Sequence, residues 1–210
     1  MAQYKEYGYN NDQFSTSHIY ILPILIQQLQ NGNAKTILDV GCGNGSLTRE
    51  LLKKGFDVYG IDASETGITL AKTTHPDRFF LMDVTDAELP LPIRVLQFDT
   101  IISVEVIEHL YDPRAFIQFC KSILLKNHGN GSLILTTPYH GYFKNLALAV
   151  TGKFDAHLTA LWDGGHIKFW SKRTLSTLLE EAGFTIEEFR GAGRIVYLWK
   201  SMVIRASIGS

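Results

Sequence analysis

Short apolar runs and stretches of helical period alternate along most of this chain. The runs at 36–40, 58–61, 79–82, 99–103 and 133–136 are bounded by turn residues, the pattern of strands buried on both faces. Between them, 46–54, 64–74 and 112–126 place apolar residues three and four apart, as helices with one buried face do. The last of these helices declares its start. Asp112 is a good N-cap, and Pro113 suits the first helical position, where no backbone donor is needed. An earlier helix is predicted over about 18–30, kinked or begun at Pro23 and stopped by Asn31-Gly32-Asn33. Strands alternating with helices imply βαβ units, hence a parallel sheet covered by helices on both faces.

After 136 the rhythm breaks. Residues 138–165 read as a long aromatic-rich insertion, and 171–182 as a capped helix ended by Gly183. Two further runs, 184–189 and 201–206, read as strands whose short link predicts a hairpin at one edge. The expected fold is α/β, a doubly wound, seven-stranded, mostly parallel sheet with one antiparallel edge strand. It is read as one domain over 1–210, with an N-terminal arm (about 1–33) and a cap insertion (about 138–165). Such sheets bind ligands at the carboxyl ends of their strands.

Composition adds exclusions. Twenty basic against twenty-one acidic residues give a net charge of −1, which argues against wholesale binding to nucleic acid. Cys42 and Cys120 are too few for a disulfide framework and fit a reducing compartment. The longest apolar run, 19–26, is broken by Pro23 and far shorter than the roughly 20 residues a membrane span needs. The opening MAQYKEYGYNNDQ is polar and aromatic rather than basic then apolar, so no secretory signal is expected and a cytoplasmic protein is.

The sharpest local signal is Asp39-Val40-Gly41-Cys42-Gly43-Asn44-Gly45-Ser46, where a strand turns tightly into a helix. Glycines there allow left-handed backbone and close approach to a ligand, although dinucleotide-binding folds carry a similar turn. Three aspartates sharpen the reading. Asp62, 21 residues after Gly41, ends the second strand, where a carboxylate can accept both hydroxyls of a ribose. Asp83 follows the third strand, where it can accept an adenine amino hydrogen. Asp39 would repel a pyrophosphate and attract an amino group.

With these residues and the string FDTIISVEVIEHL at 98–110, the chain resembles the class I S-adenosylmethionine-dependent methyltransferases. The resemblance is strong over about 36–137 and loose elsewhere. It implies that Gly41 and Gly43 pass close to the methionine part of the cofactor, with Asp39 nearby, and that Asp62 holds the ribose. Asp83 and the Val84 amide would read adenine, while Ser103 and Val104 would line the other side; Cys42 and Ala63 complete the implied cofactor set. A nicotinamide-dehydrogenase reading leaves Asp83 and the 103–110 stretch unexplained.

Glu105, Glu108 and His109 stand at i, i+3 and i+4, so a helical EVIEHL would carry all three on one face. Two carboxylates and an imidazole suit Mg²⁺, Mn²⁺, Fe²⁺ or Zn²⁺, and His166 is the candidate further ligand. A bound cation would stabilise an acceptor alkoxide or phenolate. Without one, His109 or His166 is the natural general base. Similar ExxEH strings occur in the ubiquinone-biosynthesis O-methyltransferases and in the metal-using small-RNA 2′-O-methyltransferases; the latter also place a later histidine before an aromatic-rich stretch, as His166 precedes Phe169-Trp170.

His140 and His157, in the insertion, are placed to reach substrate; His18, His75 and His128 read as surface or cap positions. Tyr142, Phe143, Leu146, Phe154, Leu158, Leu161 and Trp162 either line an apolar acceptor pocket, pack a helical hairpin onto the sheet, or dip into a membrane surface. Tyr4, Tyr7, Tyr9 and Phe14 give the arm aromatic anchors that fold over the cofactor, without fixing a role for any one of them. Residues 194–199 read as an edge-strand connection. The expected enzyme methylates a small molecule, foremost an aromatic hydroxyl of quinol or catechol type, releasing S-adenosylhomocysteine. The alternatives are small-RNA 2′-O-methylation and a cofactor-binding regulatory subunit without turnover.

Overall fold

A computed structural model describes residues 6, 8–84, 88–127, 130–158, 161 and 164–209. Tyr4, Tyr7, His128 and Trp162 therefore lie outside the described residues. Seven strands form one sheet: β1 (Thr36–Val40), β2 (Asp57–Asp62), β3 (Phe79–Leu81), β4 (Thr100–Val104), β5 (Gly131–Pro138), β6 (Thr185–Ala192) and β7 (Ser201–Ile208). Their order is β3-β2-β1-β4-β5-β7-β6, with the first five parallel. The reversed strand is β7, which slots between β5 and the edge strand β6 and is antiparallel to both. Chain order switches direction at β1, whose neighbours are β2 and β4, so the crevice at that point opens at the carboxyl ends of these strands.

Alternate residues of the central strands feed two apolar layers. Leu38, Ile101, Leu133 and Leu135 pack under α4 (Leu91–Arg94), α5 (Pro113–Leu124) and α8 (Lys172–Glu181). Ile37, Ile102 and Ile134 face α1 (His18–Asn31) and α2 (Ser46–Lys53) on the opposite side. Between β2 and β3 runs α3 (Glu65–Lys72), capped by the Ser64 hydroxyl accepting from the Gly67 amide. Asp112 caps α5 by accepting from Ala115 N, with Pro113 first in the helix as the sequence predicts.

Several local expectations need correction. The first helix starts at His18 as expected and carries Pro23 inside, so Pro23 does not begin it. EVIEHL is not an α-helix: only Ile107–His109 turn, as a 3-10 segment. The insertion holds α6 (Tyr142–Val150) and α7 (Phe154–Leu158), and of its apolar residues Phe154 and Leu158 are half-buried. Tyr142, Phe143, Leu146 and Leu161 are exposed, and the buried side chain of α6 is Lys144. The 193–200 connection packs on the insertion through the Phe143 and Tyr197 rings, 5.9 Å apart. No helix among the described residues is long and apolar enough to cross a membrane.

The sheet's lower edge is tied by a residue that periodicity does not single out. Both Asp99 oxygens accept from Lys35 N, at 3.2 and 3.0 Å, and Oδ2 also takes the Thr36 amide at 3.0 Å, joining the starts of β1 and β4. Amide bonds to a carboxylate are worth about 1.5–3 kcal/mol together with their context. Asp99→Ala is accordingly expected to lower urea-unfolding stability by about 1.5–3 kcal/mol with an unchanged m-value.

Candidate functional site

The glycine turn leaves β1 with Gly41, Gly43 and Gly45 all at positive φ, +83°, +54° and +73°. Gly41 N and Cys42 N both donate to Ile61 O, at 2.8 and 3.1 Å, which folds the turn back over the end of β2. There the half-buried Asp62 carboxylate accepts from Gly43 N and from Ser64 N, each at 2.7 Å. Every carboxylate oxygen keeps a second lone pair, so Asp62 can still take ligand hydroxyls. Burial raises its pKa, and those two amides and nearby Glu6 modify the shift.

Asp39 is buried one strand away. Its Oδ2 accepts from Thr48 Oγ1 at 2.5 Å, whereas its Oδ1 has no hydrogen-bond partner among the described residues. Burial pushes this carboxyl up to about 7, against the Thr48 donor and with help from the Asp62 charge. At the end of β4 the buried Ser103 hydroxyl is likewise unpartnered, with Val104 buried beside it in sequence. Asp83 follows β3, where Met82 N bonds Asp62 O at 2.9 Å, and like Val84 it is half-buried.

After β4 the backbone enters the left-handed region at Glu105, φ +57°, an unusual conformation for a residue with a Cβ. Glu105 N donates to Thr136 O and Thr136 Oγ1 at 3.2 and 3.1 Å, while its carboxylate accepts from Thr136 Oγ1 and Ser201 Oγ, each at 3.0 Å. The turn aims Val106 at the glycine loop: a Cβ on Gly41 would lie 2.4 Å from Val106 Cγ2. Burial pushes the Glu105 carboxyl up to about 7 despite those two hydroxyls.

Next comes a convergence of three side chains. Glu108 O accepts from Ile167 N and Lys168 N at 2.9 and 3.0 Å, drawing the 164–168 segment against EVIEHL. Glu108, His109 and His166 thereby place one ligand atom each within 4.8 Å of one another. His109 Nδ1 lies 3.2 Å from Gly165 O, a contact that holds the proton on Nδ1 and turns Nε2 toward Glu108, 3.9 Å away. The His109 and His166 rings meet edge-on at 5.0 Å. Burial, with His109, His157 and Lys144 adding positive charge, holds His166 down to about 4, so its imidazole is neutral at pH 7.

Glu108 is only 1% exposed, and among the described residues neither carboxylate oxygen has a hydrogen-bond partner. Burial and then the Glu105 charge push its pKa well above the carboxylate range; the nearby Thr137 hydroxyl opposes this without reaching bonding geometry. Glu105 stands apart from the three-residue cluster, its oxygens turned to Thr136 and Ser201. His140 and His157 pair beside it at 5.4 Å, with Phe169 on His140 at 5.1 Å. His18 is not a surface residue: burial and then Lys200 depress its pKa to about 4.

A family model described as "Methyltransferase domain" matches residues 19–188. The chain belongs to this methyltransferase family. Its sheet, glycine turn and strand-end carboxylates are those of the class I S-adenosylmethionine-dependent members, whose cofactor is S-adenosylmethionine. Among curated relatives, the ubiquinone biosynthesis O-methyltransferase of Dinoroseobacter shibae is 33% identical over 159 residues, covering 74% of this chain and 62% of the relative. The chain thus matches about three fifths of that relative's length. Among solved structures, the magnesium protoporphyrin IX methyltransferase of Synechocystis, with bound SAH, is 20% identical with a TM-score of 0.67, covering 96% of this chain and 91% of that one. The methyltransferase domain of bacterial CtHen1-CN is 22% identical with the same TM-score, 0.67, over 93% of this chain and all of that one. Both show the fold.

The residues present fit the family cofactor. The unpartnered Asp39 Oδ1 can receive an ammonium, the cradle over Gly41 and Gly43 admits no side chain of their own, and Asp62 retains lone pairs for a ribose. A cation-binding role also fits Glu108, whose buried oxygens lack protein donors.

Asp39 yields a pH test with a definite sign. Its folded pKa is raised to about 7 from 3.8, so the folded chain binds the extra proton and loses stability as pH rises through that window. Asp39→Asn removes this slope. Without ligand, the variant is expected to gain melting temperature relative to the native chain on going from pH 5 to pH 8, while its affinity for S-adenosylhomocysteine falls at least tenfold by calorimetry.

Proposed function

We propose that this protein transfers the methyl group of S-adenosylmethionine to a hydroxyl oxygen of a small aromatic acceptor of quinol or catechol type, assisted by a divalent cation. The observation that carries the reading is the convergence of Glu108, His109 and His166 at the rim where β1 and β4 end, beside the glycine loop. Two neutral imidazoles and one carboxylate form a borderline donor set suited to Mn²⁺, Fe²⁺ or Zn²⁺ and compatible with Mg²⁺. The named activity of the D. shibae relative supports oxygen as the acceptor atom and a quinol-type ring as its carrier.

Methyl transfer from a sulfonium needs little acid catalysis at the donor, because the leaving thioether is neutral. The demands fall on alignment and on freeing the acceptor's lone pair. Asp62 and the glycine loop hold the donor, and Val106, two residues before Glu108, packs on Gly41. When bound, a cation supplies charge that lowers the pKa of an acceptor hydroxyl. Glu108, His109 and His166 are the residues to hold it, and the Gly165 carbonyl orients His109. His140 and His157 stand near this cluster as proton acceptors, since burial keeps both imidazoles below their usual pKa and neutral at pH 7.

The small-RNA reading shares the cluster but meets a chain of net charge −1. One set of measurements separates the two. Mn²⁺ titrated into protein saturated with S-adenosylhomocysteine is expected to bind one to one, with Glu108→Gln and His166→Ala each losing at least tenfold in affinity. Labelled methyl should then pass to a dihydroxyphenyl acceptor and not to short RNA. Metal affinity that survives both variants, or methyl transfer to RNA alone, would reject the proposal.

A further inference from the structure

The described residues between Glu6 and Gln13 are fastened to the two loops that build the cofactor site. Glu6 accepts from Ser64 Oγ, from Thr66 Oγ1 at 2.7 Å and from Glu65 N at 3.0 Å, at the start of α3 and two residues beyond Asp62. Tyr9 N donates to Thr66 Oγ1 at 3.0 Å. On the other side, Asn44 Nδ2 donates to Asn11 O and Gln13 O at 2.9 and 3.2 Å, and Arg49 Nη2 to Asp12 O at 2.9 Å. Tyr9 lies between these attachments, directly on the glycine turn. A Cβ on Gly43 would sit 2.4 Å from Tyr9 Oη, and one on Gly67 would meet the same ring at 3.0 Å.

Gly43 is also the residue whose amide bonds Asp62. The tyrosine therefore stands where the glycine loop meets the ribose carboxylate. From 8 to 14 every residue is exposed except Tyr9, which is half-buried, so no apolar core holds this segment down. A chain held by polar bonds that water can replace opens far more readily than one anchored by buried side chains. Glu6 is the strongest of these attachments. Desolvation opposes ionisation, but the Ser64 and Thr66 hydroxyls and the Gly8 and Glu65 amides hold the carboxyl at about 2, below its ordinary value, so it stays ionised throughout the neutral range.

We propose that Glu6 and residues 8–14 are the outer wall of the cofactor site, with Tyr9 touching bound S-adenosylmethionine and Glu6 latching the wall shut. The inference rests on the methyltransferase reading and adds the residues that govern cofactor retention. Entry and release require the latch to part from Ser64, Glu65 and Thr66, so latch strength sets the rate of exchange. Tyr9 supplies a flat apolar face and a hydroxyl over the Gly43 backbone.

The test follows S-adenosylhomocysteine rather than turnover. Stopped-flow displacement should show Glu6→Gln releasing it about tenfold faster, and Tyr9→Ala binding it about tenfold more weakly, with Tyr9→Phe between Tyr9→Ala and the native chain. Hydrogen exchange on the unaltered protein provides a readout that no variant's misfolding can blur: amides of 8–14 should slow when S-adenosylhomocysteine is added. Unchanged release and affinity in the Glu6 and Tyr9 variants, or exchange at 8–14 indifferent to the ligand, overturns the wall while leaving the methyltransferase reading intact. Failure of the native chain to bind S-adenosylhomocysteine overturns both.

Discussion

Four carboxylates are desolvated at one rim of the sheet, and most of the site follows from that constraint. Asp39, Asp62, Glu105 and Glu108 stand at or just beyond the ends of β1, β2 and β4 because parallel strands in register finish together. Burial raises the pKa of each, and three of them also feel a like charge, Asp62 on Asp39, Glu6 on Asp62 and Glu105 on Glu108. The protein supplies donors unevenly. Asp62 and Glu105 are satisfied by two donors each, whereas Asp39 keeps one bare oxygen and Glu108 two. The bare oxygens are where positive charge from outside the chain has most to gain, one set beside the glycine loop and the other beside the two imidazoles.

A single backbone residue joins those two halves. Glu105 in the left-handed region ends β4 abruptly, points its carboxylate back to Thr136 and Ser201, and sends Val106 onto Gly41. Had EVIEHL continued as an α-helix, Glu105 and Glu108 would have shared a face. The 3-10 turn instead leaves Glu105 as a brace for β5 and β7 and delivers Glu108 and His109 to the 164–168 segment. Local strain of this kind persists only where surrounding bonds over-determine it, and here the two Thr136 contacts to Glu105 N do so.

This explains what could be read from the chain and what could not. Strands β1 to β5 were legible because double-sided burial demands continuous apolar runs, and β1 falls at 36–40 as its pattern requires. The cofactor-side aspartates were legible for a related reason: a polar residue closing such a run marks the rim. Placement of β7 inside the edge was not, since a hairpin's sequence is silent on which arm meets β5. The Glu108 cluster was half legible. Its residue types were visible, but the helical spacing that suggested them was wrong, and His166 arrives through backbone bonds across 58 residues of chain. Asp99, Thr136 and Glu6 act on distant backbone and hydroxyls, and pairing of that sort leaves no periodic trace.

The two additions to the sheet differ in how their described residues are held, and the difference bears on what each can do. The insertion is anchored by buried Lys144, whose Nζ donates to Lys200 O at 3.2 Å, and by His140 N bonding Trp170 O at 3.0 Å, while its apolar residues Tyr142, Phe143 and Leu146 face outward. Its fixed side thus meets the Glu105 region, while on its outer side Phe143 meets the Tyr197 ring of the 193–200 link. The segment ahead of α1 reverses this arrangement. It offers one aromatic ring inward and clings by exposed polar bonds, so its attachment is specific in geometry yet weak enough to be broken on each exchange of ligand. A wall that must open belongs on such a segment, whereas side chains that must hold a charge in place belong on the rigid ends of strands.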